Sequence, residues 1–106
     1  MNRIIFTSTA ENDLRGIAFY IAEQSGSKTA SADFVRKLKD KCDLLKEFPE
    51  MGALPRDRVL LSQGFRFLTV GEYLIFYTSE TQKSEVYINA VIHSKRDYMR
   101  VMRKYI

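Results

Sequence analysis

The chain has 106 residues, of which 45% are hydrophobic and 28% are charged, with one cysteine and a formal net charge of +4. These values are typical of a single globular domain spanning residues 1–106, and they argue against wholesale disorder. One cysteine excludes an intramolecular disulfide, and no run approaches the roughly 20 apolar residues of a membrane span. We therefore expect a cytoplasmic protein without membrane association, whose moderate positive charge favours acidic partners.

The first predicted elements are a short strand at residues 3–7 and a helix directly after it. Ser8 and Glu11 have the spacing of a capping box, in which each residue satisfies a free amide at the start of a helix. Apolar residues then recur at helical spacing as far as about Glu23, and Gly26 is a typical stop signal.

A second helix is predicted to begin at a cap, either Ser27 or Thr29, and to end before Pro49. Because the connection between the two helices is short, they should form an antiparallel hairpin. The apolar stripe of the second helix contains Cys42, which we expect to be a small core residue. The chain has a single histidine and a single cysteine, so we expect no metal site and no cofactor.

Residues 48–63 are predicted to be a long loop, and three β-rich runs after it predict an antiparallel meander. Gly71 and Glu72 suit a type II′ turn between the first two runs. That turn sets the cross-strand pairs, which are Val70 with Tyr73, Leu68 with Ile75, and Arg66 with Tyr77. The opposite face of the same two strands is almost wholly apolar and consists of Phe65, Phe67, Leu74 and Phe76. We expect this phenylalanine face to lie against the helical hairpin.

The other face of the predicted meander is mixed in polarity, and polar side chains converge on it. The alternating pattern of the third strand would add Val86, Ile88, Ala90 and Ile92 to the phenylalanine face. The polar face, turned away from the helical hairpin, would then carry Arg66, Tyr77, Tyr87 and His93. A last helix, capped by Ser94, is too short to be stable alone, so it should pack on this mixed face or on a partner.

The predicted architecture is α+β, in the order β-α-α-β-β-β, with an antiparallel sheet packed on an N-terminal helical hairpin and a short C-terminal helix. Several short motifs occur along that order: Phe48-Pro49-x-Met51-Gly52, Gly64-Phe65-Arg66, Tyr73-Leu74-Ile75-Phe76-Tyr77 and His93-x-x-Arg96-Asp97. Together they resemble the ParE branch of the RelE/ParE toxins of bacterial type II toxin–antitoxin systems, over essentially the whole chain. The chain has Ser94-Lys95 where the commonest ParE ending has Gly-Arg, and it continues beyond Asp97 into a helix.

The resemblance implies a toxin that inhibits DNA gyrase by binding it, arrests growth, contributes to plasmid stabilisation and is neutralised by an acidic cognate antitoxin. RelE relatives instead cut messenger RNA on the ribosome, so a ribosome-dependent mRNA endonuclease is the alternative function. A non-toxic module that only binds an acidic partner is a third. The antitoxin is expected to lay an amphipathic helix on the helical hairpin and to direct acidic residues toward Arg66 and Arg96.

The candidate site residues follow from these alternatives. In a nuclease, Arg66 would stabilise charge on the phosphate, His93 would transfer a proton and Tyr98 would stack on a base. Candidates for contacts with the target or the antitoxin are Arg56, Arg58, Arg66, Tyr73, Tyr77, Tyr87, His93, Arg96 and Tyr98. Several also have a purely structural interpretation: His93 as a hydrogen-bonded residue at a strand end, and Arg66 as a group stacked on Tyr77.

Overall fold

The computed structural model describes residues 1–105 as a four-stranded sheet with helices on both faces. The elements are β1 (Arg3–Phe6), α1 (Ser8–Ser25), α2 (Lys28–Asp43), α3 (Arg58–Ser62), β2 (Arg66–Val70), β3 (Tyr73–Glu80), β4 (Glu85–His93) and α4 (Tyr98–Met102). The predicted α+β order is confirmed, and α3 is an additional short helix within the predicted loop. Nothing in the helices of residues 1–105 combines the length and apolar character that crossing a membrane requires.

The helical hairpin forms where it was predicted, with one shift at its start. Thr7, still in an extended conformation, caps α1 by accepting a hydrogen bond from the Ala10 N–H at 3.1 Å. The capping box expected at Ser8 is therefore displaced by one residue, because Ser8 is already helical. At the other end Gly26 has a φ of 66° and donates its N–H to the Ala22 carbonyl, which ends α1 as predicted. Ser27 caps α2.

The sheet has the strand order β1-β4-β3-β2, in which β1 runs parallel to β4 and the other neighbours are antiparallel. The sheet is therefore mixed rather than wholly antiparallel. Between β2 and β3, the observed pairs include the three that were predicted: Val70 with Tyr73, Leu68 with Ile75, and Arg66 with Tyr77. A type II′ turn requires a positive φ at its first central residue and not at its second. Gly71 has a φ of 57°, and the φ of Glu72 is not positive.

The helical hairpin covers the opposite face of the sheet from the one that we predicted. Its core joins Leu14, Ile17, Leu38, Cys42 and Leu45 to Leu68, Val70, Ile75 and Tyr77. The phenylalanine face instead packs against Leu60 of α3 and Met102 of α4. β1 and β2 run in the same direction at opposite edges and are joined through α1 and α2. The side on which such a crossover lies depends on its handedness, not on which face is more apolar.

The expected position of the last helix is consequently wrong as well. It lies on the phenylalanine face, where Met102 is fully buried, and not on the mixed face. Its cap is Asp97, whose carboxylate accepts a hydrogen bond from the Arg100 N–H at 3.3 Å, and not Ser94. The chain thus reaches the helix three residues later than the sequence pattern indicated.

A bulge in β4 reverses the alternation that we assumed for this strand. Phe76 pairs with Ala90 but Tyr77 pairs with Ile88, so Asn89 is an extra residue with no partner on β3. Val86 and Ile88 therefore face the helical hairpin, while Ala90 and Ile92 face α4. Tyr87 lies on the side opposite to Arg66, so the predicted grouping of Arg66, Tyr77, Tyr87 and His93 on one face is wrong.

Candidate functional site

Arg66 and Tyr77 fasten the loop that contains Gly52 to the sheet. Arg66 donates from Nη1 to the carbonyls of Glu50 and Gly52, at 3.1 and 3.0 Å. The Tyr77 hydroxyl donates to the Pro49 carbonyl at 2.8 Å and accepts from the Gly52 N–H at 2.9 Å. Burial raises the pKa of Tyr77, which is 0% exposed. These two side chains therefore support the fold, and we call this arrangement the Arg66 node.

His93 lies at the other end of the same face, with both ring nitrogens engaged. Nδ1 accepts from the Lys95 N–H at 3.1 Å, and Nε2 lies 3.2 Å from a Glu72 carboxylate oxygen. The ring also packs edge-on against Tyr73, with centroids 5.1 Å apart. These contacts match the structural interpretation of a histidine that ends a strand.

Arg66, His93 and Tyr98 do not converge on one site. Arg66 pairs with Tyr77 and His93 pairs with Tyr73, four residues away on β3, which separates the two by roughly 13 Å along the strand. Both lie on the side of the helical hairpin, contrary to our prediction that they face away from it. Tyr98 is on the other face of the sheet, where its ring packs on Phe76 with centroids 5.7 Å apart. No single phosphate can contact this trio.

The other predicted residues are dispersed. The Tyr87 hydroxyl donates to Glu85 at 2.5 Å, and this hydrogen bond holds the pKa of the Glu85 carboxyl below its ordinary value. Arg56 and Arg58 are exposed on either side of Asp57, whose carboxylate caps α3. Arg96 is exposed and, with Tyr73 and His93, lines a crevice between α1 and the end of β4.

Asp13, which was not among the predicted site residues, helps to satisfy the bulge in β4. Its half-buried carboxylate accepts a hydrogen bond from the Val91 N–H at 2.9 Å. The carbonyl of Asn89 accepts from the Tyr105 hydroxyl at 2.8 Å and from Thr7 at 3.3 Å. Burial raises the pKa of Asp13, although the Val91 N–H, Lys104 and Arg96 act in the opposite direction. No sequence signal could reveal this residue, because the bulge itself was not visible there.

Two concave surfaces on the outside of the protein are suited to partners. The first is a groove between α1 and α2, lined chiefly by small or aliphatic residues: Ala18, Ala22, Ser31, Ala32 and Val35. Its basic rim consists of Lys28, Arg36 and Lys39, with Asp40 beside them. The second is a depression with an apolar floor of Leu44, Phe48, Pro49 and Met51, and Glu47 and Glu50 also line it. Three of the apolar residues are unusually exposed: Leu44 at 46%, Phe48 at 57% and Met51 at 41%. Exposed apolar surface is one of the features that sites for other proteins share.

This chain matches one family in sequence and several toxins in structure. The family model described as the ParE toxin of the type II toxin–antitoxin system parDE matches residues 4–98. No curated protein matches the sequence. A structure from the chromosomal ParDE toxin–antitoxin system of P. aeruginosa is 18% identical, with a TM-score of 0.73, covering 90% of this chain and 98% of the other.

Two further structures widen the similarity to RelE proteins. The isolated E. coli RelE toxin is 16% identical, with a TM-score of 0.60 over 100% of both chains. The RelBE2 toxin–antitoxin complex of Mycobacterium tuberculosis contains a chain that is 24% identical, with a TM-score of 0.55, covering 87% of this chain and 90% of that one. At such identities these structures establish a common fold and nothing more.

Proposed function

Since this chain belongs to the ParE family of toxins from type II toxin–antitoxin systems, we propose that it inhibits DNA gyrase by binding and is neutralised by a cognate acidic antitoxin. The observation that carries the choice of binding over RNA cleavage is the separation of Arg66, His93 and Tyr98. RNA cleavage needs a base, an acid and a charge-stabilising group around one phosphate. Arg66 is bonded to two carbonyls, and Tyr98 packs on the opposite face of the sheet.

A pair of assays tests this function. Purified gyrase is given relaxed plasmid with and without the toxin, and cellular messenger RNA is mapped by primer extension after the toxin is expressed. We expect inhibited supercoiling without new transcript ends. Codon-linked cuts that disappear in a folded Arg66→Ala or His93→Ala variant would instead identify a ribosome-dependent nuclease. Neither effect, together with normal growth, would identify a non-toxic binding module.

For neutralisation, we propose that an amphipathic helix of the antitoxin occupies the groove between α1 and α2. Small side chains at Ala22 and Ala32 leave room for the apolar face of a helix. Lys28 and Lys39 on the rim complement acidic residues beside that face, whereas Arg36 is paired with Asp33. The antitoxin then continues over the exposed apolar depression around Phe48. Arg66, expected earlier to attract acidic residues, has its guanidinium bonded to the Glu50 and Gly52 carbonyls and is omitted from this proposal.

The groove can be tested with two substitutions on one helix. Ala32→Glu fills the groove and opposes an acidic partner, whereas Ala30→Glu makes the same charge change at an exposed α2 position that does not line the groove. We expect Ala32→Glu to weaken a co-purified antitoxin complex at least about tenfold, and Ala30→Glu to change it little. Equal affinities for the two variants would exclude the groove as the docking site.

A further inference from the structure

The whole net positive charge of this protein is concentrated near its C-terminus. Residues 95–105 contain five basic residues and one acidic residue, while the other twelve basic and twelve acidic residues cancel. The five are Lys95, Arg96, Arg100, Arg103 and Lys104, which we call the C-terminal basic segment. The rest of the protein has no net charge, so the net positive charge that would attract a polyanion is located here.

The cations of this segment are exposed and outside the ion pairs of residues 1–105, and Lys104 Nζ lies 5.7 Å from the centre of the Tyr105 ring. All five are solvent-exposed, and within residues 1–105 the ion pairs are formed by other basic residues, among them Arg3, Arg36 and Lys46. Arg96, Arg100 and Lys104 follow one another at intervals of four residues and line a single shallow groove. Arg96 precedes the cap of α4, Arg100 lies on α4 and Lys104 lies in the turn after it, so the shared groove is what brings these three charges together.

The chemistry of this groove favours a polyanion over a protein partner. The apolar side of α4 is already used, since Met102 is fully buried and Tyr98 packs on Phe76. Apart from Val101, the groove is lined by charged side chains, which are three cations and Asp97, whose carboxylate is used to cap α4. The cores of protein–protein interfaces are depleted of charged residues, whereas phosphate backbones are bound by such groups of arginine and lysine. Arginine in addition matches phosphate oxygens through two parallel hydrogen bonds.

The two tyrosines of residues 95–105 indicate which kind of nucleic acid the basic segment is suited to bind. Binding of single strands relies on aromatic rings on which unpaired bases stack. Tyr98 is occupied by Phe76, and Tyr105 packs edge-on against Phe65 while its hydroxyl donates to the Asn89 carbonyl. Both tyrosines of residues 95–105 are therefore already packed against another ring, and a duplex needs no such stacking because it presents its phosphates outward.

We infer that the C-terminal basic segment binds the phosphate backbone of duplex DNA without reading its base sequence. This inference does not depend on gyrase: the segment attaches the protein to DNA directly. Three phosphate contacts, by Arg96, Arg100 and Lys104, release counterions, so the affinity should fall steeply with salt.

The test measures binding of the full chain to a labelled mixed-sequence duplex of about 20 base pairs, by fluorescence anisotropy at several salt concentrations. The triple variant Arg96→Gln/Arg100→Gln/Lys104→Gln should bind at least about tenfold more weakly near 50 mM salt, with a salt slope smaller by about three. The matched control is Arg15→Gln/Arg36→Gln/Lys37→Gln, which removes two arginines and one lysine from exposed helix positions. It should keep the slope of the unmodified protein.

Several outcomes would overturn the inference. They are no binding of the unmodified protein to the duplex at low salt, an equal loss of slope in both triple variants, and tighter binding of single-stranded RNA of the same length. If thermal melting shows that the first triple variant is unfolded, Arg100→Gln alone replaces it. Its slope should then fall by about one, and an unchanged slope would contradict the inference.

Discussion

The Arg66 node and the C-terminal basic segment contain the same residue type in opposite circumstances. Arg66 is half-buried and donates to two backbone carbonyls beside a fully buried tyrosine. Arg100 is exposed and belongs to no ion pair of residues 1–105. The node therefore holds the fold, while the segment is free to meet a partner. An arginine's suitability for binding depends on whether its hydrogen-bonding capacity is already used within the protein.

The substitution with the largest expected effect on stability disrupts the Arg66 node. In Gly52→Ala, the new Cβ would lie 2.5 Å from the Tyr77 hydroxyl oxygen and 3.0 Å from the Phe67 carbonyl oxygen. The buried ring cannot move away, so we expect a loss of about 3 kcal/mol in the free energy of unfolding, measured by urea denaturation. Gly16→Ala is the control, because that position in α1 has open space around it and should gain about 1 kcal/mol. If Gly52→Ala and Gly16→Ala changed the free energy of unfolding by similar amounts, the Arg66 node would not be what holds the loop.

A smaller change isolates the hydrogen bonds of the node. Tyr77→Phe keeps the buried ring but removes the donor to the Pro49 carbonyl and the acceptor for the Gly52 N–H. We expect a loss of about 1–3 kcal/mol, because a buried amide is left without a partner. Tyr20→Phe, on the exposed surface of α1, should change the stability by less than about 0.5 kcal/mol. If the Tyr77→Phe variant were as stable as the unmodified protein, packing alone would hold the loop that contains Gly52.

The smallest effect concerns Asp13, which lies beside the cations of the C-terminal basic segment. Burial raises its pKa in the folded state above 3.8, so the folded protein holds this proton more tightly than the unfolded chain does. The stability that this group contributes is full below the unfolded pKa and is lost as pH rises through the folded pKa. Asp13→Asn stays neutral and retains an acceptor for the Val91 N–H.

Thermal melts of Asp13→Asn and the unmodified protein should therefore diverge in favour of the variant as pH rises from about 3.8. Asp40→Asn, on the surface of α2, is the charge-matched control. If the Asp13→Asn variant instead becomes relatively less stable with rising pH, attraction by Arg96 and Lys104 outweighs burial, and the segment has an internal partner after all.

Much of the fold could be predicted from the sequence because its signals are local. Gly26 ends α1 and Ser27 caps α2, and the Gly71-Glu72 turn determines the register of β2 and β3. Cys42 was correctly predicted as a core residue, and burial raises the pKa of its thiol to about 12. These features depend on residues within a few positions of one another.

The candidate site was less predictable because it depends on long-range geometry. The placement of β1 beside β4 determines which face of the sheet the helical hairpin covers. This placement joins residues that are far apart in the sequence, such as Arg3 and Glu85, which are separated by 82 positions. The single extra residue at Asn89 then moves Tyr87 to the other face. Neither the crossover nor the bulge leaves a periodic pattern in the sequence, so the predicted convergence of Arg66 and Tyr87 was wrong.

Growth after induced expression is the most direct measurement, provided that soluble protein is quantified in parallel. It compares the unmodified toxin with His93→Gln and with Arg96→Gln/Arg100→Gln/Lys104→Gln. If the embedded polar groups are structural and growth arrest requires the exposed cations to bind DNA, His93→Gln arrests growth like the unmodified toxin. The triple variant, folded and equally abundant, does not. Arrest by the triple variant together with normal growth of a folded His93→Gln variant would contradict the account.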